Sequence, residues 1–408
     1  MGQQLRQLSR ETAVLTAGNV LSLTLGLIGG IIIARALGDE ARGLYAWVFT
    51  LQGFACQLAA LATYHAARQI AAETPRTDWG ALVISLAFLA GIGCLFSLPI
   101  LGYSLMHPLG QAHPMLVILA FIGVPILAVV MPLTALLHVQ GQAWQSFFSM
   151  VFLRLILLFA TLGLWIGGSL NLINLTLANT LAALLTLGFL FSVLQLPRQK
   201  KVFEHAKQVV LRLKATIGAA WLAGLGLYAL PKIALLVLAT HGATQGNLAA
   251  TGHLAVALTL FESAIGIPSL AAGVLVSHLT QNYADPKARR SITLGMVGLS
   301  ALMALGGLLV GPWLIPVLFG SPFMGAVLPF QVFMGCLVLA ALHQAWFSRL
   351  MHAQNPMILI LPPLFGCAVV FGFGVLWVGP HGAFGAAMAT FMGYGVLVLS
   401  TYALKGPH

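Results

Sequence analysis

The sequence predicts an all-α polytopic membrane protein of twelve transmembrane helices arranged as two six-helix bundles, and three observations lead there. Only 7% of its 408 residues are charged and 60% are hydrophobic, where a soluble domain carries about 25% charged residues. Apolar runs long enough for a membrane span of about 20 residues recur from end to end. Short stretches of the first half then reappear in the second.

Composition sets the class. With a mean hydropathy of +0.98, the natural unit is the span rather than the soluble domain. The net charge of +11 does not point to nucleic acid, because the basic residues sit in short gaps between apolar runs rather than on an aromatic-studded folded face. Cys56, Cys94, Cys336 and Cys367 all fall inside apolar runs without metal-site or disulfide spacing, so they read as small core residues. The first apolar run lacks the exit of a cleaved signal peptide and is expected to stay as the first span.

The spans are expected at 12–37, 44–67, 79–101, 115–138, 143–166 and 172–196, and then at 215–239, 248–276, 292–318, 324–347, 358–378 and 383–404. Each can cross a hydrocarbon core of about 30 Å as a helix, the one open-ended structure lipid tolerates. Trp79, Trp144, Trp165, Trp313, Trp346 and Trp377 lie near span ends, where amphipathic rings prefer to sit. With the N-terminus inside, all but four of the 19 lysines and arginines fall on the cytoplasmic side. The exceptions are Arg35 and Arg42 on the outer side and Arg154 and Lys232 within spans. The positive-inside rule therefore puts both termini in the cytoplasm.

The expected organisation is a first bundle at 1–196, a linker at 197–214 and a second bundle at 215–408. In the linker, Val202, Ala206, Val209 and Leu213 recur at helical spacing among basic side chains. It reads as a basic amphipathic connector along the inner surface. Thr16-Ala17-Gly18 recurs as Thr216-Ile217-Gly218, and Leu25-Gly26-Leu27 as Leu225-Gly226-Leu227. Gly43 matches Gly246, and Leu136-Leu137-His138-Val139-Gln140 is echoed by Leu350-Met351-His352-Ala353-Gln354. Six spans per half relate the bundles by an axis along the membrane normal.

Chemistry within the spans is sparse. Arg154 lies midway through the fifth span, Lys232 in the seventh after Pro231, Glu262 near the middle of the eighth, and Arg35 at the outer end of the first. A charge at a helix centre costs about 2.5–3.5 kcal/mol even on lenient scales, so these side chains should face water or one another. An offset of 200 residues would bring Lys232 close to the position of Arg35. Three cations, Arg35, Arg154 and Lys232, against one acid would suit an anionic ligand such as a phosphate or pyrophosphate. Glu262 is the candidate for ion coupling. The plainer readings are that Arg35 snorkels to headgroups, that Arg154 and Glu262 form a structural pair, that His138 and His352 are solvated, and that Asn171, Asn174 and Asn179 bond between helices. No metal-ligand spacing, paired carboxylates, glycine-rich phosphate loop or nucleophile triad appears, so no cofactor and no enzymatic activity are expected.

The stretch Ala34-Arg35-Ala36-Leu37-Gly38-Asp39-Glu40-Ala41-Arg42-Gly43-Leu44-Tyr45-Ala46 resembles the junction of the first two helices in the Wzx-type polysaccharide biosynthesis proteins. These are flippases of the multidrug/oligosaccharidyl-lipid/polysaccharide (MOP) exporter superfamily. Val317-Leu318-Phe319-Gly320-Ser321-Pro322-Phe323 is similar to the end of their ninth helix, and Gly246-Asn247-Leu248-Ala249 to the turn after the seventh, though without the tyrosine usual there. The resemblance implies a MATE-like fold in a bacterial inner membrane. It implies alternating-access export of a polyprenyl-pyrophosphate-linked oligosaccharide for O-antigen, capsule or exopolysaccharide. Membrane lipids, and a polysaccharide polymerase with its chain-length regulator, are the implied partners, and an arginine matching Arg35 is thought to bind pyrophosphate in related lipid II flippases. The alternatives are a drug or metabolite antiporter on the same fold, which should carry cavity carboxylates, and a membrane glycan polymerase or acyltransferase, for which no long outer loop is present.

Overall fold

The computed structural model describes residues 2–60, 79–139, 143–194, 202–279, 286–350 and 357–404. The described residues are helical almost throughout: α1 (Gly2–Ala60), α2 (Trp79–Met106), the short α3 (Pro108–Ala112), α4 (Pro114–Val139), α5 (Ala143–Ile166), α6 (Leu172–Leu194), α7 (Val202–Gln245), α8 (Ala249–Leu279) and α9 (Pro286–Phe319). A 3-10 turn at Ser321–Ala326 then leads to α10 (Val327–Leu350) and α11 (Met357–Leu404). The all-α expectation holds.

Ten stretches of these helices are long and apolar enough to cross a membrane. Two of them, Thr16–Ala60 and Leu359–Leu404, run to 45 and 46 residues, which is about 65–70 Å if straight and more than twice a bilayer core. Each leaves the helical path at one residue near its middle. Gly38 has φ 80° and Gly382 has φ 54°, a left-handed conformation that costs a residue with Cβ about 1–2 kcal/mol and costs glycine little. Sequence reasoning placed a loop at 38–43, whereas the helix resumes directly after Gly38. The Asp39 carboxylate accepts the amide of Glu40 at 3.0 Å at that restart.

Large apolar side chains cover the outside. Phe159, Ile166, Leu302, Trp313 and Leu399 are each more than half exposed, an arrangement that would aggregate in water and that lipid makes favourable. The chain is a multi-pass membrane protein.

The fold divides into two compact units, Met1–Gly26 with Val48–Leu225 and Leu27–Trp47 with Gly226–His408. In the first, α4 packs against α2, α5 and α6, and Leu82, Leu86, Leu133, Leu136, Leu137 and Leu190 form a fully buried cluster. In the second, α10 packs against α8, α9 and α11 around Phe319, Phe323, Phe330 and Phe333. Phe261 of α8 stacks on Phe333 at 5.3 Å and meets Tyr394 edge-on at 5.9 Å. That anchors one face of α8 in the core. Glu262, the next residue and so about 100° further round the helix, is turned out of it and is exposed.

The basic connector falls partly outside the described residues. From Val202 onward it is helical and runs without a break into the seventh span as α7. Residues 197–201, His352 and the positions of Arg68, Arg76 and Lys405 lie outside the described residues.

Candidate functional site

The site in the second unit begins with a turn. Gly246, at φ 66°, ends α7. The amide of Asn247 returns to the Gly242 carbonyl at 3.0 Å, and that of Gly246 reaches the Ala243 carbonyl at 3.4 Å, the two bonds of a Schellman stop. The Asn247 side chain then accepts the amide of Ala249 at 2.9 Å and starts α8. A three-residue turn forces the two helices to run antiparallel. Lys232 lies 13 residues before Gln245, and Glu262 lies 13 residues after Ala249. At 1.5 Å per residue both are about 20 Å from the turn, and the Lys232 ammonium meets the Glu262 carboxylate in an ion pair. The lysine is enclosed, with 12% of its side chain exposed against 44% for the glutamate. Its other side rests on the Tyr228 ring, 4.9 Å from the centroid, one helical turn earlier.

The segment Leu27–Trp47 supplies a second cation. Arg42 is buried, with 6% of its surface exposed. Its Nη2 donates to Thr259 Oγ1 at 2.9 Å, and its guanidinium lies 5.3 Å from the Tyr45 ring centroid. The Thr259 hydroxyl donates onward to the Ala255 carbonyl at 2.8 Å, so both of its roles are used. Arg42 Nε is buried without a hydrogen-bond acceptor. Glu262, one turn beyond Thr259 on the same helix face, is within electrostatic reach of Arg42.

A reciprocal backbone contact holds this arrangement. A Cβ on Gly43 would strike the Leu248 carbonyl oxygen and come within 3.0 Å of the Gly252 amide. A Cβ on Gly252 would strike the Asp39 carbonyl group, coming within 2.8 Å of its carbon. Each glycine therefore lies against the carbonyl that opens the other helix, as in small-residue crossings of membrane helices. Residues 39 and 43 correspond here to 248 and 252, an offset of 209, and the left-handed glycines 38 and 246 give 208. The offset of 200 expected from short matches does not hold at this point. Arg35 lies three residues from its glycine and Lys232 fourteen from its own, so the two are not equivalent in depth.

Arg35 is spent on backbone. Its Nε donates to the Leu318 carbonyl at 2.7 Å and its Nη2 to that of Val317, which caps the end of α9 with a cation where the helix dipole favours one. Beside it, His253 Nε2 lies 2.8 Å from the Pro322 carbonyl and 3.5 Å from an Asp39 carboxylate oxygen. A carbonyl can only accept, so this nitrogen carries the proton. Arg154 is exposed on α5 in the first unit, with its guanidinium carbon 3.8 Å from where a Cβ on Gly26 would be.

Of the four sequence candidates, Lys232 and Glu262 come together, Arg35 is a helix cap and Arg154 belongs to the other unit. Sequence reasoning did not single out Arg42, Asp39 or His253, because it placed Arg42 and Asp39 in a loop. A signal for the Lys232–Glu262 pair was present: two opposite charges equidistant from a Gly-Asn turn.

Among solved structures the chain is similar over 97% of its length to a lipid II flippase, MurJ, in an inward closed conformation, with 10% identity, a TM-score of 0.73 and 88% of that chain covered. It is similar over 97% to an inward-facing MATE family multidrug resistance transporter of the MOP superfamily, with 15% identity, a TM-score of 0.71 and 97% of that chain covered. A MOP superfamily transporter from Pyrococcus furiosus, described as having a binding pocket of reversed polarity, matches at 13% identity with a TM-score of 0.57, over 97% of this chain and 96% of its own. No family model and no curated protein sequence matches. The chain has the fold shared by the MOP superfamily flippase and MATE transporters.

Proposed function

We propose that this protein is a flippase that moves a polyprenyl-pyrophosphate-linked oligosaccharide from the inner to the outer leaflet of a bacterial inner membrane by alternating access. On this reading each glycine-broken helix is two crossings, which makes twelve spans in two six-helix bundles, and the distribution of basic residues supports both termini in the cytoplasm. The observation that carries the reading is the enclosed Lys232 ammonium paired with the half-exposed Glu262, with the buried Arg42 held at Thr259, one turn along α8 from that carboxylate. Two cations against one carboxylate leave a net positive charge in an apolar surrounding, which selects an anion. The overlap with a structure of a lipid II flippase supports the same reading at the level of fold.

The direction fits the energetics. A pyrophosphate headgroup carrying about two negative charges and leaving an inside-negative cell gains about 4.6 kcal/mol per 100 mV. A drug or metabolite antiporter on the same fold is the reading the likeness to a multidrug resistance transporter would favour, but the excess of positive charge opposes it.

Complementation of surface polysaccharide in a strain lacking its flippase tests the proposal, with membrane protein quantified in parallel. Each charge-assisted contact is worth about 1.5–3 kcal/mol. Lys232→Ala should therefore lower export roughly tenfold or more, whereas Arg35→Ala, which removes the cap on the end of α9, should lower the amount of membrane protein rather than export per molecule. Arg35→Lys should restore that amount only in part, because a two-pronged donor to two carbonyls becomes a point charge. Full export by Lys232→Ala sinks the anion-flippase reading.

A further inference from the structure

We infer that Glu262 is a mobile counter-ion: it occupies the anion site on Lys232 when no ligand is bound, and an arriving diphosphate displaces it onto Arg42. The inference rests on the flippase reading and supplies the exchange by which its ligand is admitted.

Three observations carry it. Lys232 is enclosed and its ammonium is paired with Glu262, so an arriving anion competes with that carboxylate for the ammonium. Arg42 is the opposite case, a buried guanidinium whose Nε has no acceptor, although a buried charged donor left unmade is costly. Glu262 stands one helical turn from Thr259, which already holds Arg42 Nη2 at 2.9 Å. Its half-exposed side chain is free to turn from one cation towards the other.

The displaced carboxylate has two fates, protonation or a new partner. On the export reading, protonation would carry a proton outward with each ligand and cancel one of the charges on which the membrane potential acts. Passage to Arg42 keeps both charges and fills the orphaned Nε. It also adds a charge-assisted contact between the Leu27–Trp47 segment and α8, so an occupied site tightens the glycine crossing of Gly43 and Gly252. Ligand binding and helix packing thereby become linked through one carboxylate.

The test uses the purified full chain in lipid nanodiscs, with inorganic pyrophosphate as the probe and binding measured by calorimetry. The wild type should bind, and Lys232→Ala should bind at least tenfold more weakly. Glu262→Gln should bind roughly tenfold more tightly, because the competing carboxylate is gone. Arg42→Gln should weaken binding roughly tenfold in the Glu262 chain and leave it unchanged in the Glu262→Gln chain, a non-additivity that a general folding defect would not produce. Without any substitution, difference infrared spectra on adding pyrophosphate should show a shifted carboxylate band with no protonated-carboxyl band, and the shift should vanish in Glu262→Gln. Lys232-dependent binding that ignores Glu262→Gln overturns the exchange and leaves the anion site standing. A protonated-carboxyl band, or equal weakening by Arg42→Gln in both backgrounds, overturns the handover. Absence of pyrophosphate binding in every chain removes the anion reading itself, and the exchange with it.

Discussion

Gly43 and Gly252 sit where two helix backbones touch, and at this scale a single added methyl group is a decisive probe. A Cβ at Gly252 would fall within 2.8 Å of the Asp39 carbonyl carbon and 3.2 Å of its Cα, and backbone cannot swing aside as a side chain can. Gly252→Ala should therefore cost about 1–3 kcal/mol through overpacking. Gly29→Ala, where nothing lies within 4 Å, should leave stability unchanged or raise it by up to about 1 kcal/mol through helix propensity. Thermal unfolding in detergent distinguishes them, and equal midpoints for the two variants would refute the crossing. The charged residues differ in how legible they were. The match between Lys232 and Glu262 could be read from distances to a turn, whereas the burial of Arg42 depended on a loop that closes to the single residue Gly38.

Among the elements, the junction of α2 and α4 carries a pH-sensitive cap. His107 precedes the short α3, and its Nδ1 accepts the amide of Leu109 at 3.3 Å, a role only the neutral ring can fill. Burial pushes its pKa below the ordinary 6.5. A histidine with a depressed folded pKa contributes stability that is fully present above the unfolded value and is lost as pH falls below it. The thermal midpoint should accordingly decline as pH drops below about 6.5. His107→Asn keeps a capping acceptor and should remove part of that decline while matching the wild type at pH 8. Identical pH profiles for the two proteins would rule out the cap as a contributor. The helix ends were harder to read than the helices themselves, because hydropathy marks where lipid lies and not where a chain reverses. Thus α7 starts at Val202, well before the apolar run it leads into.

For the whole molecule the distribution of basic residues sets the expected orientation. Reporter fusions after Lys200 and Lys287 should read cytoplasmic, and fusions after Asn247 and Gly320 should read periplasmic. A periplasmic signal at Lys200 would overturn the arrangement of two even-numbered bundles with both termini inside. The turn at Gly246 and the break at Gly320 are suited to the experiment, since both glycines have left-handed backbones at helix ends and a fusion there interrupts no helix.

Composition and periodicity by themselves determined that this chain is helical and lives in a membrane, because the solvation of an apolar run and the need to satisfy its backbone are local properties that any 20-residue window reports. They also showed that a few charges lie within the spans. Which charges meet was decided only by the tertiary structure. Helix rotation and crossing depend on backbone approaches between positions far apart in sequence, such as Gly43 against Leu248 and Gly252 against Asp39. Those approaches turn Arg42 onto Thr259, leave Arg35 on the carbonyls that end α9, and group residues 27–47 with the second half of the chain. Hydropathy is summed along the chain, but electrostatic pairing is settled across it.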